Sequence, residues 1–522
     1  MPATMSWERE VEELRKRRAA AAELGGATAI AKQHARGRLT VRERIDALVD
    51  KGSFREQGGI AGTSETDADG NLVDFQPTNA VIGTAKIDGR AVVICGDDFT
   101  LRGGAYSPAG MQKAEYADRL SARRRVPNVR LLEAGGASVS GITGVKGRSG
   151  YDFVAGATSN TALLEARATV PMVAAALGPV AGYPAGRLVT AHFSLMTRDT
   201  SQVLIGGPAL VARATGQETT KEELGGAAVH GRNGVVDNVA DDEADVWRQI
   251  KAFLSYLPSN VWEGAPVSAC GDPRDRAEEK LLAIVPRESR RAYKMRRVVE
   301  AVVDIGSFFE LTPGYGRTQI TGLARVAGHP VGVLANNPYV YGGSMTADGS
   351  QKLRRFVELC DTFHLPIVSL MDEPGFMIGI EAEQAGTIRY GMEAMFAVNQ
   401  TAVPWLTVVV RKSFGVAAGL HLGPRGTVVA WPSAQSGALP LESGIALAYG
   451  REIAEAADPD ARRRELETEY ARAQSMFPRA EAFGVHDLID PRETRPLLCD
   501  WIDEIQPALA LQRGPRAYTP RP

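Results

Sequence analysis

Four glycine-bearing segments are the residues best placed to do chemistry. Glu133-Ala134-Gly135-Gly136-Ala137 and Asp372-Glu373-Pro374-Gly375-Phe376 each follow an apolar run. Gly178-Pro179-Val180-Ala181-Gly182 and Arg411-Lys412-Ser413-Phe414-Gly415, the latter continuing through Val416, Ala417 and Ala418 to Gly419, each follow another. Where a strand ends and a helix opens, the first backbone N–H groups have no carbonyl partner and sit at the positive end of the helix dipole. Such a turn can hold a phosphate or a developing oxyanion, and two turns facing one another would make a two-donor oxyanion hole. The same glycines also serve any tight strand-to-helix turn, so the motif alone leaves both readings open.

Other chemistries find less support. The sequence contains no G-x-x-x-x-G-K-[ST] phosphate loop, no G-x-G-x-x-G opening a helix after a first strand, and no paired-histidine metal spacing. Ser138, Ser140 and Ser413 lie near the turns, but none stands in G-x-S-x-G. Seven histidines are scattered, and His192, His364 and His421 have no sequence neighbours that suggest a triad, so they read as structural or surface residues. Cys95, Cys270, Cys360 and Cys499 stand singly, which predicts no metal site and a reduced, cytoplasmic setting. With 60 basic and 62 acidic side chains the net charge is −2, so no overall field draws the chain to nucleic acid or to an anionic membrane. Met1 to Gly25 reads as a charged helix rather than an export signal, and no apolar run approaches the roughly 18 residues that span a bilayer.

The elements that must position the four turns come from a duplication. Gly83 and its following strand pair recur at Gly322, an offset of 322 − 83 = 239. Gln112-Lys113 and Gln351-Lys352, Pro127 and Pro366, Glu133 and Asp372, and Gly136 and Gly375 keep that offset. Val170-Pro171 and Val403-Pro404, Gly182 and Gly415, and Gly186 and Gly419 then match at 415 − 182 = 233. A repeat of this length means two copies of one supersecondary unit, and 522 residues exceed what one hydrophobic core usually serves. Helices at Gln112–Arg125, 159–168, Gln351–Phe363 and Ile388–Val398 alternate with apolar strands at Val129–Leu132, Val173–Leu177, Ile367–Met371 and Trp405–Val410. Uninterrupted apolar strands between helices predict α/β domains with sheets covered on both faces. The polar stretch 267–279 marks the junction, giving domains 1–268 and 269–522.

At this point the chain resembles a family, the carboxyltransferase β subunits of biotin-dependent acyl-CoA carboxylases, the group that includes propionyl-CoA carboxylase. The resemblance rests on His34 to Ile45, Asp98-Phe99-Thr100-Leu101-Arg102-Gly103-Gly104, Lys221 to Gly226 with His230, and Ala335-Asn336-Asn337-Pro338 with Gly342-Gly343. It continues through Lys352, Arg355-Phe356, Cys360-Asp361, Asp372 with Pro374-Gly375-Phe376, Arg411-Lys412 and Ala430-Trp431-Pro432. It implies tandem crotonase-like (ClpP/crotonase) βα superhelix domains in a homo-hexamer, a dimer of trimers, with sites between the N-terminal half of one subunit and the C-terminal half of another. The implied reaction passes CO2 from carboxybiotin to the α-carbon of an acyl-CoA. Biotin would be delivered on a separate biotin carboxylase and carrier subunit, and after CO2 release the biotin anion could itself take the α-proton.

By the same resemblance Gly136, Ala137, Gly182 and Tyr183 would form the hole for the CoA thioester. Gly375, Phe376, Val416 and Ala417 would form the hole for the biotin ureido oxygen, and Gly135, Gly415 and Gly419 would line the cofactor. No metal is expected in this chain. Departures from the family pattern cluster here: Ala181-Gly182-Tyr183-Pro184, Phe414 to Gly419 with Gly419 in place of an Asp, and Leu439 to Gly444. Amide donors at Tyr183 and Val416 require a negative φ, and Pro184 has no donor. The open volume at Gly419 suggests an acyl group larger than propionyl or differently shaped. Two other readings are a biotin-independent acyl-CoA decarboxylase or related thioester enolate enzyme, and a non-catalytic assembly subunit.

Overall fold

The structure, a computed structural model, describes residues 6–136 and 161–522; Ala137, Ser138 and Ser140 lie outside the described residues. The chain forms two compact units, Met1–Leu254 with Ala517–Pro522, and Ser255–Arg516.

In the first unit, β1 (Arg55–Gln57), β4 (Ala80–Ile87), β5 (Arg90–Asp97), β6 (Asn128–Ala134), β7 (Met172–Ala181), β8 (Phe193–Thr197) and β10 (Asn238–Ala240) lie side by side in that order. β9 (Gln202–Leu204) pairs with the far end of β7. A separate ribbon pairs β2 (Gly62–Thr66) with β3 (Leu72–Pro77). The second unit repeats the sheet: β11 (Phe309–Leu311), β12 (Gln319–Val326), β13 (His329–Asn336), β14 (Ile367–Glu373), β15 (Trp405–Phe414), β16 (Thr427–Ala430) and β18 (Asp487–Leu488). There β17 (Gln435–Gly437) pairs with β15.

Local sequence explains the mixed pairing. Asp88-Gly89 (φ 49° and 79°) and Ala327-Gly328 (φ 49° and 83°) make two-residue turns with positive φ at both positions, which match strand twist and close antiparallel hairpins β4–β5 and β12–β13. From β5 and β13 onward every pairing is parallel, and parallel strands must be joined by crossovers. Every residue of β6, β7 and β14 is buried, as sheets covered on both faces require.

The duplication extends to register. Val93 pairs with Asn128 and Gly332 with Ile367; the pairing slips between Leu132 and Ala134 in one sheet and between Met371 and Glu373 in the other. Ala181 pairs with Leu204 and Phe414 with Gly437. The helices also outrun the expected bounds. Ser107 caps a helix that starts at Pro108 and runs to Arg124, and Thr346 caps one from Ala347 to Thr362, because side-chain caps satisfy amides a full turn before the apolar pattern begins.

The expected boundary at 268/269 moves to 254/255. The intervening segment is tied to the second unit: the Tyr256 hydroxyl donates to the Ser307 carbonyl, and the Val261 carbonyl accepts the Gly514 amide at 2.8 Å and lies 2.9 Å from His364 Nε2. Arg325 donates to the Pro266 carbonyl at 2.9 Å. Polarity marked a surface segment, not the crossing point.

Candidate active site: paired amide turns

In the second unit, β14 ends at Glu373 and runs into Pro374-Gly375-Phe376. The Met345 amide donates to the Gly375 carbonyl (3.0 Å), and the Met377 amide donates to the Met345 carbonyl (2.9 Å). A trans peptide holds its C=O and N–H on opposite sides, so anchoring the Gly375 carbonyl on Met345 turns the Phe376 N–H the other way. That N–H has no partner among the described residues. The neighbouring strand β15 ends at Phe414 and turns through Gly415 (φ 63°, ψ −166°), a conformation that suits glycine alone, into the short 3₁₀ helix Val416–His421. The Gly415 amide donates to the Gly437 carbonyl at 3.2 Å and the Ala418 amide to the Gly415 carbonyl at 3.3 Å. Between them, the Val416 and Ala417 amides have no partner among the described residues. The two turns touch: a Cβ placed on Gly375 would lie 3.8 Å from the Phe414 carbonyl oxygen.

The first unit repeats the construction. Gly136 (φ 87°) follows β6, and a Cβ placed there would lie 3.2 Å from the Ala181 carbonyl oxygen. Gly182 (φ 66°, ψ −130°) turns β7 into the helix Tyr183–Val189, and its amide donates to the Leu204 carbonyl at 3.0 Å, as Gly415 does to Gly437. Gly135 donates to the Gly103 carbonyl at 2.9 Å.

These contacts revise several expected roles. The amides of Gly182, Gly415 and Gly135 are committed to backbone carbonyls, and that of Gly375 to Glu373 Oε1 at 2.9 Å, so these four residues shape the turns rather than donate from them. Tyr183 and Val416 each open a helix and are absent from the residues with positive φ; the preceding glycines take the positive φ instead. Gly419 does not open volume, since a Cβ placed there would lie 2.9 Å from the Met395 Cε that fills the space.

Each turn rests on a buried ion pair that local sequence did not reveal. Glu133 accepts from Arg38 Nη1 (2.6 Å), Arg44 Nη1 (2.5 Å) and Gln33 Nε2 (2.6 Å), and Arg44 also reaches Glu243 Oε1 at 2.7 Å. The equivalent Asp372 is held by Arg411 (Nη2–Oδ2 3.0 Å) and by the Lys412 amide (3.1 Å). Arg411 lies over the Tyr293 ring, 4.8 Å from its centroid, and donates to the Arg291 carbonyl at 2.8 Å. The two pairs are mirror solutions. Gly178 occupies the position equivalent to Arg411 and leaves room for Glu133, whose Oε1 would be 2.3 Å from a Cβ there. In the second unit that same position carries the cation.

Beside these pairs sit two further buried carboxyls. Burial pushes Asp97 up to about 6, against a hydrogen bond from Tyr106 and the Glu133 amide; its counterpart in the second unit is Asn336, whose Oδ1 accepts the Asp372 amide at 2.8 Å. Burial also raises the Glu373 carboxyl, partly offset by His421, the Gly375 amide and Asn336. Among the described residues no group of three or more His, Cys, Asp or Glu side chains is gathered as a metal ion would need, and no helix is long and apolar enough to cross a membrane.

One repeated βα unit thus carries a pair of touching strand-to-helix turns in each half, and comparison with known proteins shows the family to which the arrangement belongs. Residues 32–503 match the carboxyl transferase domain family. The chain is 34% identical over 504 residues to the propionyl-CoA carboxylase carboxyltransferase subunit of Haloferax mediterranei, covering 94% of this chain and 95% of that one. It is 32% identical over 498 residues to methylmalonyl-CoA decarboxylase subunit alpha of Propionigenium modestum, covering 94% and 95%. The transcarboxylase 12S hexamer structure with methylmalonyl-coenzyme A bound superposes with a TM-score of 0.86 at 30% identity, covering 100% of this chain and 99% of that one. This chain belongs to the carboxyl transferase family. It is a carboxyltransferase of the acyl-CoA carboxylase kind, with the duplicated crotonase-like fold.

Proposed function

We propose that this chain moves a carboxyl group from carboxybiotin, carried on a separate carrier protein of a biotin carboxylase subunit, to the α-carbon of an acyl-CoA. The observation that carries the reading is the set of three amides at Phe376, Val416 and Ala417, unpartnered among the described residues and borne on two touching turns. Donors of this kind fit a ureido oxygen that gains negative charge as its carboxyl group leaves. When bound, carboxybiotin supplies the CO2 and then the basic group for the α-proton. The chain's own residues orient and stabilise: the second unit's amides hold the ureido oxygen, while Gly136, Ala137 and Tyr183 in the first unit hold the thioester oxygen. The helix start at Tyr183 and the positive φ of Gly182 support that assignment. One donor of such a hole is commonly worth about 3–4 kcal/mol in barrier height, and with biotin as acceptor of the α-proton the reading assigns no acidic or basic side chain to the reacting carbon.

Assembly as a homo-hexamer is proposed on the likeness to the transcarboxylase 12S hexamer, and a cytoplasmic setting on the reduced cysteines. A second reading has an observation of its own, since the likeness to a methylmalonyl-CoA decarboxylase subunit matches that to a carboxylase subunit in coverage. Purified protein, carboxylated biotin carrier and a panel of acyl-CoAs separate the cases. Carboxylated product is the expected result. Release of CO2 from malonyl- or methylmalonyl-CoA without biotin would replace the proposal by the decarboxylase reading, and inertness combined with tight binding to another subunit would make this an assembly subunit.

A further inference from the structure

Glu373 and His421 are both fully buried, and His421 Nε2 lies 3.5 Å from Glu373 Oε2 with no hydrogen bond of its own. Each residue belongs to one of the two touching turns. Glu373 closes β14, and its Oε1 accepts the Gly375 amide at 2.9 Å; its Oε2 accepts Asn336 Nδ2 at 2.9 Å. His421 closes the 3₁₀ helix that Val416 and Ala417 open. Its Nδ1 is 3.1 Å from Ser369 Oγ, and its carbonyl accepts Trp405 Nε1 at 2.9 Å and Thr407 Oγ1 at 2.7 Å. The remaining groups facing the Glu373 carboxylate, the Asn336 amide and the Gly375 N–H, are neutral, and Asp372 with Arg411 belongs to the opposite face of the strand.

We propose that Glu373 and His421 are a charge-compensated positioning pair for the second amide turn, an inference that rests on reading this turn as the anion site of carboxyl transfer. The geometry does two things at once. It fixes the Gly375 peptide from one side and the 3₁₀ helix from the other, so the Phe376 and Ala417 amides keep a set spacing. It also answers an electrostatic problem. A buried carboxylate this close to the turn opposes the negative charge the amides must stabilise, and at low dielectric that opposition is large. With one proton on either Glu373 or His421 the pair is neutral, while the carboxyl oxygens still accept from Gly375 and Asn336.

The consequence is non-additive. His421→Gln leaves Glu373 uncompensated, whereas Glu373→Gln removes the charge and keeps an acceptor for the Gly375 amide. In carboxyl transfer from malonyl- and other α-carboxyacyl-CoAs to free biotin by the intact protein, His421→Gln lowers kcat by about 30-fold, and Glu373→Gln by only about 3-fold. KM for the CoA substrate stays within about 2-fold of wild type, as expected when only transition-state stabilisation is lost. Combining the two substitutions recovers most of the loss of His421→Gln. Should His421→Gln fail to fold, judged by its unfolding midpoint, His421→Asn and the double variant carry the same comparison. Losses that add, or a double variant slower than His421→Gln, would overturn the pair. A wild-type protein that binds the CoA thioester yet never carboxylates biotin would instead overturn the reading of the turn, and the pair's role with it.

Discussion

The chain supplies its own template for removing one oxyanion donor. Position 417 is equivalent to Pro184, the second residue of the helix Tyr183–Val189, where 184 + 233 = 417. A proline is therefore compatible with this turn of the fold, and the Ala417 amide has no backbone bond to lose. Ala417→Pro should leave the 3₁₀ helix in place while replacing an N–H by a ring carbon. The expected cost is that of one oxyanion donor, about 3–4 kcal/mol, or roughly 10²–10³ in kcat. Steady-state carboxyl transfer from the carboxylated carrier reads that loss. Binding of the CoA thioester, which the first unit is proposed to hold, should not change. Ala417→Gly keeps the amide and should stay near wild type. A folded Ala417→Pro protein with kcat within about 3-fold of wild type would refute the assignment of this amide.

Three stability predictions follow the same duplication. Because Asp97 titrates near 6 when folded against 3.8 ordinarily, the native state binds more protons between those values, so its stability falls as pH rises through that window and stays lower above it. Asp97→Asn, the residue its counterpart already has at 336, should abolish that decline and add up to about 3 kcal/mol at pH 8 but little at pH 4, as denaturant midpoints at the two pH values would record. Gly178→Ala should lower the unfolding midpoint by displacing Glu133 from its cations, at about 3 kcal/mol, and adding Glu133→Asp should restore part of it. Arg411→Lys loses the forked contact to Asp372 and the stacking on Tyr293, and should cost about 2 kcal/mol in chemical denaturation with no gain from raised salt, since the pair is buried.

How much of this was legible depended on distance along the chain. The four turns, the fold class and the offsets of 239 and 233 could be read because a glycine, a proline or an apolar run is a local signal that copying preserves. Strand ends were placed short, at Leu132 and Met371, because the buried Glu133, Asp372 and Glu373 that prolong β6 and β14 read as polar loop. The partners that make those carboxylates tolerable come from far away: Arg44 stands 89 residues before Glu133, and His421 lies beyond the next strand from Glu373. Nothing in local spacing announces such a pair. The occupied amide of Gly375 did have a signal, an acidic side chain two residues earlier that can fold back onto it, and Gly182 and Gly415 had none, since their acceptors belong to β9 and β17.

The exchange of Gly178 for Arg411 between the halves has a consequence for how such a chain can change. After copying, each half settled its buried acid by recruiting a base from a different place, one from preceding helices and one from the adjoining strand. Transplanting arginine into position 178 would bring a third guanidinium against an acid already served by Arg38 and Arg44, and transplanting glycine into 411 would strand Asp372. Neither half can now drift back toward its twin by single steps, so the asymmetry between the two turns is locked in beneath them, whatever substrate each one meets.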